Sequence, residues 1–298
     1  MSLYKIQNQS LKAVKHKPFK LEKEMQKLIE ANLAEIMGLK FVDSEFTIKN
    51  KRIDTLAFNE EIKSFVIIEY KRDKNASVVD QGFAYLNLML NNKSDFILAY
   101  NKKYQVVRED VDWSQVKVVF VAPNFTENQK VATDFPDLAI ELWEVQRYED
   151  NLLSFVQIKK DSDAGIKSNL ISKKHQKIAK EIKVYKEEDH LEGHSEKIIE
   201  LYQKFKEGIL TLSDQIEAKA TKPYMAFKIH NRSVCDITIL KKGLKLWINK
   251  KAGTLKDPLG LTRDVSKIGH WGNGDYDLDV KDDSNLEYIL SLIKQAIV

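Results

Sequence analysis

The run Phe65-Val66-Ile67-Ile68-Glu69-Tyr70-Lys71 restricts most narrowly what this chain can become. An apolar stretch of that length, following the polar turn Asn59-Glu60-Glu61, suits a buried strand better than a helix. In a strand, residues two apart share a side. Glu69 and Lys71 then stand on the face of Ile67, while Val66, Ile68 and Tyr70 face the other way. Charges that emerge at the rim of a buried sheet are costly alone, so each needs a partner or a metal.

The preceding strand, Arg52-Ile53-Asp54-Thr55-Leu56, carries a second carboxylate. A strand, a polar turn and a strand separate Asp54 from Glu69, and a hairpin of that length brings the two acids side by side. Paired hard oxygen ligands with room for water and phosphate oxygens suit Mg2+ or Mn2+. A lysine beside them can orient an attacking water and offset charge on a phosphate.

Helices are expected on either side of these strands. Residues 21–37 place Leu21, Met25, Leu28, Ile29, Leu33 and Ile36 at helical spacing. With Leu21 as the origin and about 100° per residue, Glu24 falls at the edge of the apolar stripe and Glu30 on the solvent side. Glu24 is therefore the expected helical contributor to the site. A second helix over 77–90 has the stripe Val78, Val79, Gly82, Tyr85, Leu86 and Met89, with Gln81 and Tyr85 one turn apart at its edge. Further strands are expected at 41–48, 116–121, 139–145 and 152–158, which gives an α/β domain with a mixed sheet.

These residues resemble the PD-(D/E)XK, or restriction-endonuclease-like, nuclease superfamily. Asp54 and Glu69-Tyr70-Lys71 match its Asp … (Asp/Glu)-x-Lys signature. The wider pattern is similar to the branch related to NucS-type endonucleases. It comprises Glu24 to Leu33, Ser44-Glu45-Phe46, Arg52 to Leu56, Ile67 to Arg72 and Gln81 to Leu86. Ile53 stands where the signature usually has proline. The resemblance spans roughly residues 15–125 and implies a mixed sheet flanked by helices. It implies that Asp54, Glu69 and Glu24 hold divalent metal, that Lys71 assists the water, and that Gln81 lines the site. The implied activity is metal-dependent hydrolysis of phosphodiester bonds, in DNA first. The alternative is a nuclease fold that has lost catalysis and serves as a nucleic-acid-binding or assembly module. Arg72, Lys74 and Tyr85 are candidate nucleic-acid contacts, Glu45 lies beside the site, and a homodimer is allowed.

The 298 residues suggest two domains. They are expected at 1–160 and 195–298, joined by a Lys/Glu-rich linker or exposed helix over 161–194. The second is a smaller α+β domain: a long helix over 195–220, strands at 224–229, 234–240, 244–248 and 276–280, and a terminal helix over 285–297. Its residues Leu246 to Asn249, Asp257 to Gly260 and Gly269 to Tyr276 resemble a bacterial domain of unknown function found as the tail of nuclease-like proteins. Some of those are labelled predicted transport proteins, but no apolar run here approaches the ~20 residues a bilayer span needs, and no membrane partner is expected. The loop from His270 to Asp275 could stack a base or bind phosphate through its amides, or plug the core with Trp271.

Charge and cysteine usage narrow the setting. The net charge of +4 is mild, but the first stretch is basic, with Lys5, Lys12, Lys15, Lys17, Lys20, Lys23 and Lys27. Such an arm can hold phosphates or simply be solvated. The single cysteine, Cys235, can form neither an internal disulfide nor a cysteine zinc site, and reads as a buried apolar residue in a reducing cytoplasm.

Overall fold

A computed structural model describes residues 3–72, 77–162, 173–269 and 272–297. The chain divides into two compact units, Met1–Val184 and Tyr185–Val298.

The N-terminal unit opens with a two-stranded antiparallel ribbon, β1 (Tyr4–Gln7) and β2 (Ser10–Ala13). Helices α1 (Glu22–Glu30) and α2 (Leu33–Met37) follow, then strands β3 (Lys40–Ile48), β4 (Lys51–Asn59) and β5 (Ser64–Tyr70). Next come α3 (Val78–Asn91), α4 (Lys93–Tyr104), β6 (Lys117–Ala122), α5 (Glu127–Thr133), β7 (Ile140–Arg147), β8 (Leu153–Gln157) and α6 (Lys173–Glu181). Strands β3 to β8 form one sheet in sequence order. The flanks are antiparallel, whereas β6 runs parallel to both β5 and β7. Parallel neighbours need crossovers, and α3–α4 and α5 supply them. This is the mixed α/β architecture expected from the sequence.

Every residue of β5 is buried, because helices cover both faces of the sheet. Phe65 and Ile67 pack with Phe83, Leu86, Met89 and Phe96 of α3 and α4. Val66, Ile68 and Tyr70 pack with Met25, Ile29, Leu33 and Met37 of α1 and α2. Gly82 lets α3 lie flat on the sheet, since a Cβ there would meet Ile140 Cδ1 at 2.3 Å. The helix expected over 21–37 is broken at Ala31–Asn32, where the Asn32 side chain donates to Leu28 O at 2.8 Å and competes with the helical ladder. Helices α4 and α5 were not read from sequence. The polar stretch 161–194 contains α6, whose unit includes Ile178 and Ile182 in the core, so part of it is packed structure.

The C-terminal unit contains α7 (Glu187–Leu191), α8 (Glu196–Thr211), β9 (Ile216–Ala220), β10 (Met225–Ile229), β11 (Arg232–Leu240), β12 (Gly243–Ile248), β13 (Arg263–Asp264), β14 (Tyr276–Val280) and α9 (Leu286–Lys294). Its sheet, ordered β13-β14-β12-β11-β10-β9, is antiparallel throughout. Helices α8 and α9 share its core with the buried Cys235. The helix expected over 195–220 stops at Thr211. Ser213 accepts from Gln215 N and Ile216 N, which turns the chain so that β9 pairs with β10. Among the described residues no helix is long and apolar enough to cross a membrane.

Candidate active site

The antiparallel ladder between β4 and β5 ends at the pair Thr55–Ile68. One step further, in the same register, Asp54 faces Glu69 across the two strands. Strand β5 continues beside β6, with Glu69 paired to Phe120 and Tyr70 to Val121, and Lys71 N donates to Val121 O at 2.9 Å. Strand β4 has left the ladder by then, and Asp54 Oδ2 accepts the Tyr70 N–H at 3.0 Å. The two carboxylates therefore stand where two strands part.

Glu69 is 6% exposed and closely held. Its Oε1 accepts from Lys71 Nζ at 2.9 Å and from Gln81 Nε2 at 2.7 Å. Its Oε2 accepts from the Tyr85 hydroxyl at 2.9 Å. Gln81 also donates to the Tyr85 oxygen at 3.2 Å, which locks the two α3 side chains together. Tyr85 itself is buried. Its hydroxyl is spent on Glu69, and burial followed by the Glu69 charge pushes its pKa up. Tyr85, a candidate nucleic-acid contact from the sequence, is buried here and orients Glu69 through its hydroxyl.

Asp54 is held differently. Burial first, and the Glu69 charge second, push its carboxyl up to about 6. The Tyr70 amide and Lys71 offset this only in part. Its Oδ1 has no hydrogen-bond partner among the described residues.

The helical contributor differs from the expectation. Glu24 accepts from Lys20 N and from the Arg147 guanidinium, and the Arg147 hydrogen bond holds its pKa down. No hydrogen bond joins it to Asp54 or Glu69 among the described residues. The buried α1 residues are Met25, Gln26 and Ile29, whereas Leu21 is the exposed N-cap. Centred on those three, the wheel puts Glu30 roughly 90° and Glu24 roughly 150° from the buried direction. The origin at Leu21 inverted the choice. Gln26, which sequence reasoning missed, donates to Asp54 O at 2.7 Å, Glu30 Oε1 at 2.9 Å and Ser44 Oγ at 3.2 Å. Thr55 Oγ1 donates to the same Glu30 oxygen at 2.6 Å. This network fixes the Asp54 peptide from the sheet face opposite Glu69. A glutamine next to Met25 and one turn from Ile29 and Glu30, on a helix that borders the site, was the available signal.

Glu45 stands opposite Asp54 on β3 and pairs with Lys23 at 2.5 Å and Arg52 at 2.8 Å. The Lys23 hydrogen bond lowers its pKa, while its charge adds to the upward push on Asp54. Arg72 is exposed, donates from its backbone to Glu22 Oε1 at 2.7 Å and from Nη1 to Lys20 O at 3.0 Å. Lys74 lies outside the described residues, as do His270 and Trp271. Next to those two, Gly272 packs on the Trp247 ring, and Asn273 N and Nδ2 donate to the fully buried Asp236 at 2.7 and 3.0 Å. This fastens the loop to its sheet.

Among the described residues no group of three or more His, Cys, Asp or Glu side chains is arranged to hold a metal. The pair still fits a hard cation. Asp54 Oδ1 is open, Glu69 Oε2 accepts a single hydrogen bond, and the Glu69 repulsion that adds to burial in lifting Asp54 is what a cation would relieve. Mg2+ commonly binds through one or two carboxylates and keeps several waters.

Residues 187–297 match the model of a domain of unknown function, DUF5655. Over its whole length the chain is 51% identical to a Haemophilus influenzae protein called an uncharacterized protein, with 100% of this chain and 99% of that one covered. The chain belongs to that protein's family. Similar solved structures include a repair endonuclease from Pyrococcus abyssi, 22% identical over 43% of this chain and 49% of that one, with a TM-score of 0.26. EndoMS in apo form is 23% identical over 43% and 48%, with a TM-score of 0.29. An EndoMS–dsDNA complex is 20% identical over 45% and 50%, with a TM-score of 0.26. The chain spans about half the length of these structures.

Proposed function

We propose that the N-terminal unit hydrolyses phosphodiester bonds of nucleic acid, DNA in the first instance, with Mg2+ or Mn2+ held by Asp54 and Glu69. The observation that carries this reading is the facing carboxylate pair at the parting of β4 and β5, with Lys71 Nζ 2.9 Å from Glu69 Oε1. When bound, the cation would polarise a phosphoryl oxygen and acidify a water.

The protein's own groups have separable tasks. Gln81 and Tyr85 hold both Glu69 oxygens, so the carboxylate is oriented before any ligand arrives. Gln26 holds the Asp54 peptide and the Tyr70 amide holds its carboxylate. The Lys71 ammonium uses one N–H on Glu69 and has two more with which to position a water or neutralise a phosphate oxygen. Arg72, one residue on, faces solvent at the rim.

The test is cleavage of single-stranded, duplex and branched DNA with Mg2+ or Mn2+, with Lys71→Ala and Asp54→Asn alongside. The expected result is cut DNA for the wild type and a loss of at least a hundredfold for each variant. If the wild type cuts nothing, or both variants cut as well as it does, the catalytic reading fails. A protein that binds DNA but neither cuts it nor takes up metal at Asp54 and Glu69 would be the non-catalytic module instead.

A further inference from the structure

The first 21 residues contain Lys5, Lys12, Lys15, Lys17 and Lys20 and no acid; Glu22 is the first. This stretch has a defined path. Lys17 N donates to Arg147 O at 2.8 Å, and Glu149 N donates to Lys15 O at 2.9 Å. Arg147 returns bonds from Nε to Lys17 O and from Nη2 to Pro18 O, both at 3.1 Å, and its guanidinium lies 4.6 Å over the Phe19 ring. His16 bridges Tyr148 between these anchors. Lys15 and Lys17 flank it, so in extended backbone they point to one side, roughly 6.6 Å apart.

The lysines lack counter-charges. Lys5 pairs with Asp150 at 3.2 Å, but Lys12, Lys15 and Lys17 are exposed and have no acidic partner among the described residues. On the ribbon Lys5 sits directly opposite Lys12, a like-charge pairing of which Asp150 compensates only the Lys5 side. The arm also leads to the site. Lys20 O and Glu22 Oε1 both bond to Arg72, one residue past Lys71.

We propose that residues 12–20 form a track for the nucleic-acid backbone as it leaves the Asp54–Glu69 pair, with Lys12, Lys15 and Lys17 each neutralising a phosphate. This rests on the nuclease reading for its direction, but its electrostatics can be tested without catalysis. A line of like charges on a pinned extended segment matches a regularly charged polymer better than a small anion.

The experiment uses the full chain carrying Asp54→Asn, in EDTA, with fluorescently labelled duplex and single-stranded DNA titrated across a salt series. Replacing Lys12, Lys15 and Lys17 together by Ala should lower the slope of log K against log salt by about 2 to 3 and weaken binding on the order of tenfold. The control Lys102→Ala/Lys103→Ala, beside the start of β3, should leave the slope unchanged. An unchanged slope in the triple variant, an equal loss in the control, or no DNA binding by the parent overturns the proposal. A separate cleavage assay with metal, on chains that keep Asp54, separates the two claims. Binding through the arm without any cleavage sinks the nuclease reading alone. Cleavage with the same KM and kcat in wild type and triple variant sinks the track alone; the track predicts a raised KM and an unaltered kcat.

Discussion

Asp54→Asn should make the protein more stable while it abolishes the proposed reaction. Asn keeps the shape of the side chain and can still accept the Tyr70 N–H. What it removes is a charge that burial and Glu69 disfavour. The displacement of the Asp54 pKa from 3.8 to about 6 corresponds to about 3 kcal/mol between the ionised and neutral forms. The carboxylate is partly exposed, so solvent screening reduces this to on the order of 1–2 kcal/mol. The sign follows from proton counting. Between the unfolded and folded pKa values the folded state holds the extra proton, so wild-type stability falls as pH rises through roughly 4 to 6. Below that window the two proteins should be alike; above it the variant should lead by roughly 2–8 °C in Tm. The assay is calorimetry in EDTA across pH 4 to 8, repeated with Mg2+. At ten times its Kd the cation should restore about 1.4 kcal/mol to the wild type and nothing to the variant. A variant no more stable than wild type at pH 8 in EDTA, or a difference that does not change with pH, would refute the electrostatic account of the pair.

Other outcomes follow from single contacts. Gln26→Leu leaves the Asp54 carbonyl, Glu30 and Ser44 without their shared donor and should cost about 1–3 kcal/mol in urea denaturation. It should also lower kcat more than it raises KM, because Gln26 touches only the supports of the site. Tyr85→Phe frees Glu69 Oε2 of its hydrogen bond and should cost about 1 kcal/mol with little change in fold, checked by circular dichroism and melting. Gly274→Ala drives a Cβ to 1.8 Å from Ile248 O and should destabilise the C-terminal unit by about 3 kcal/mol or more. Gly253→Ala, at φ +78° in open space, should cost only about 1–2 kcal/mol in the same measurement.

The parts legible in the sequence were those governed by one periodicity. The apolar run of β5 located the sheet centre, and alternation along it put Glu69 and Lys71 on one face with Gln81, as the 2.9 and 2.7 Å bonds to Glu69 agree. The Asp54–Glu69 juxtaposition needed only a hairpin register. What failed depended on where an element begins. Leu21 looked like the first residue of an apolar stripe, yet it is an exposed cap, and that error of phase exchanged Glu24 for the Gln26–Glu30 side. Helix α4 has mixed apolar and polar residues, with Phe96 and Tyr100 buried but Leu98 exposed, so its stripe is faint. The first ribbon is exposed at every position, which leaves no burial pattern to read.

The position of the pair explains why so much support surrounds it. Further along β4 and β5, backbone ladders satisfy the strands without help. At Asp54 that ladder has ended, and the carboxylate itself takes over a backbone amide from Tyr70. A partly buried acid facing another acid would turn outward to water unless its peptide were fixed. Gln26 fixes it from one side of the sheet, while Gln81 and Tyr85 fix Glu69 from the other. Helices α1 and α3 therefore do more than cover the apolar strand. Between them they hold close together two charges that would otherwise separate, and the resulting excess of negative potential is the feature a cation would bind.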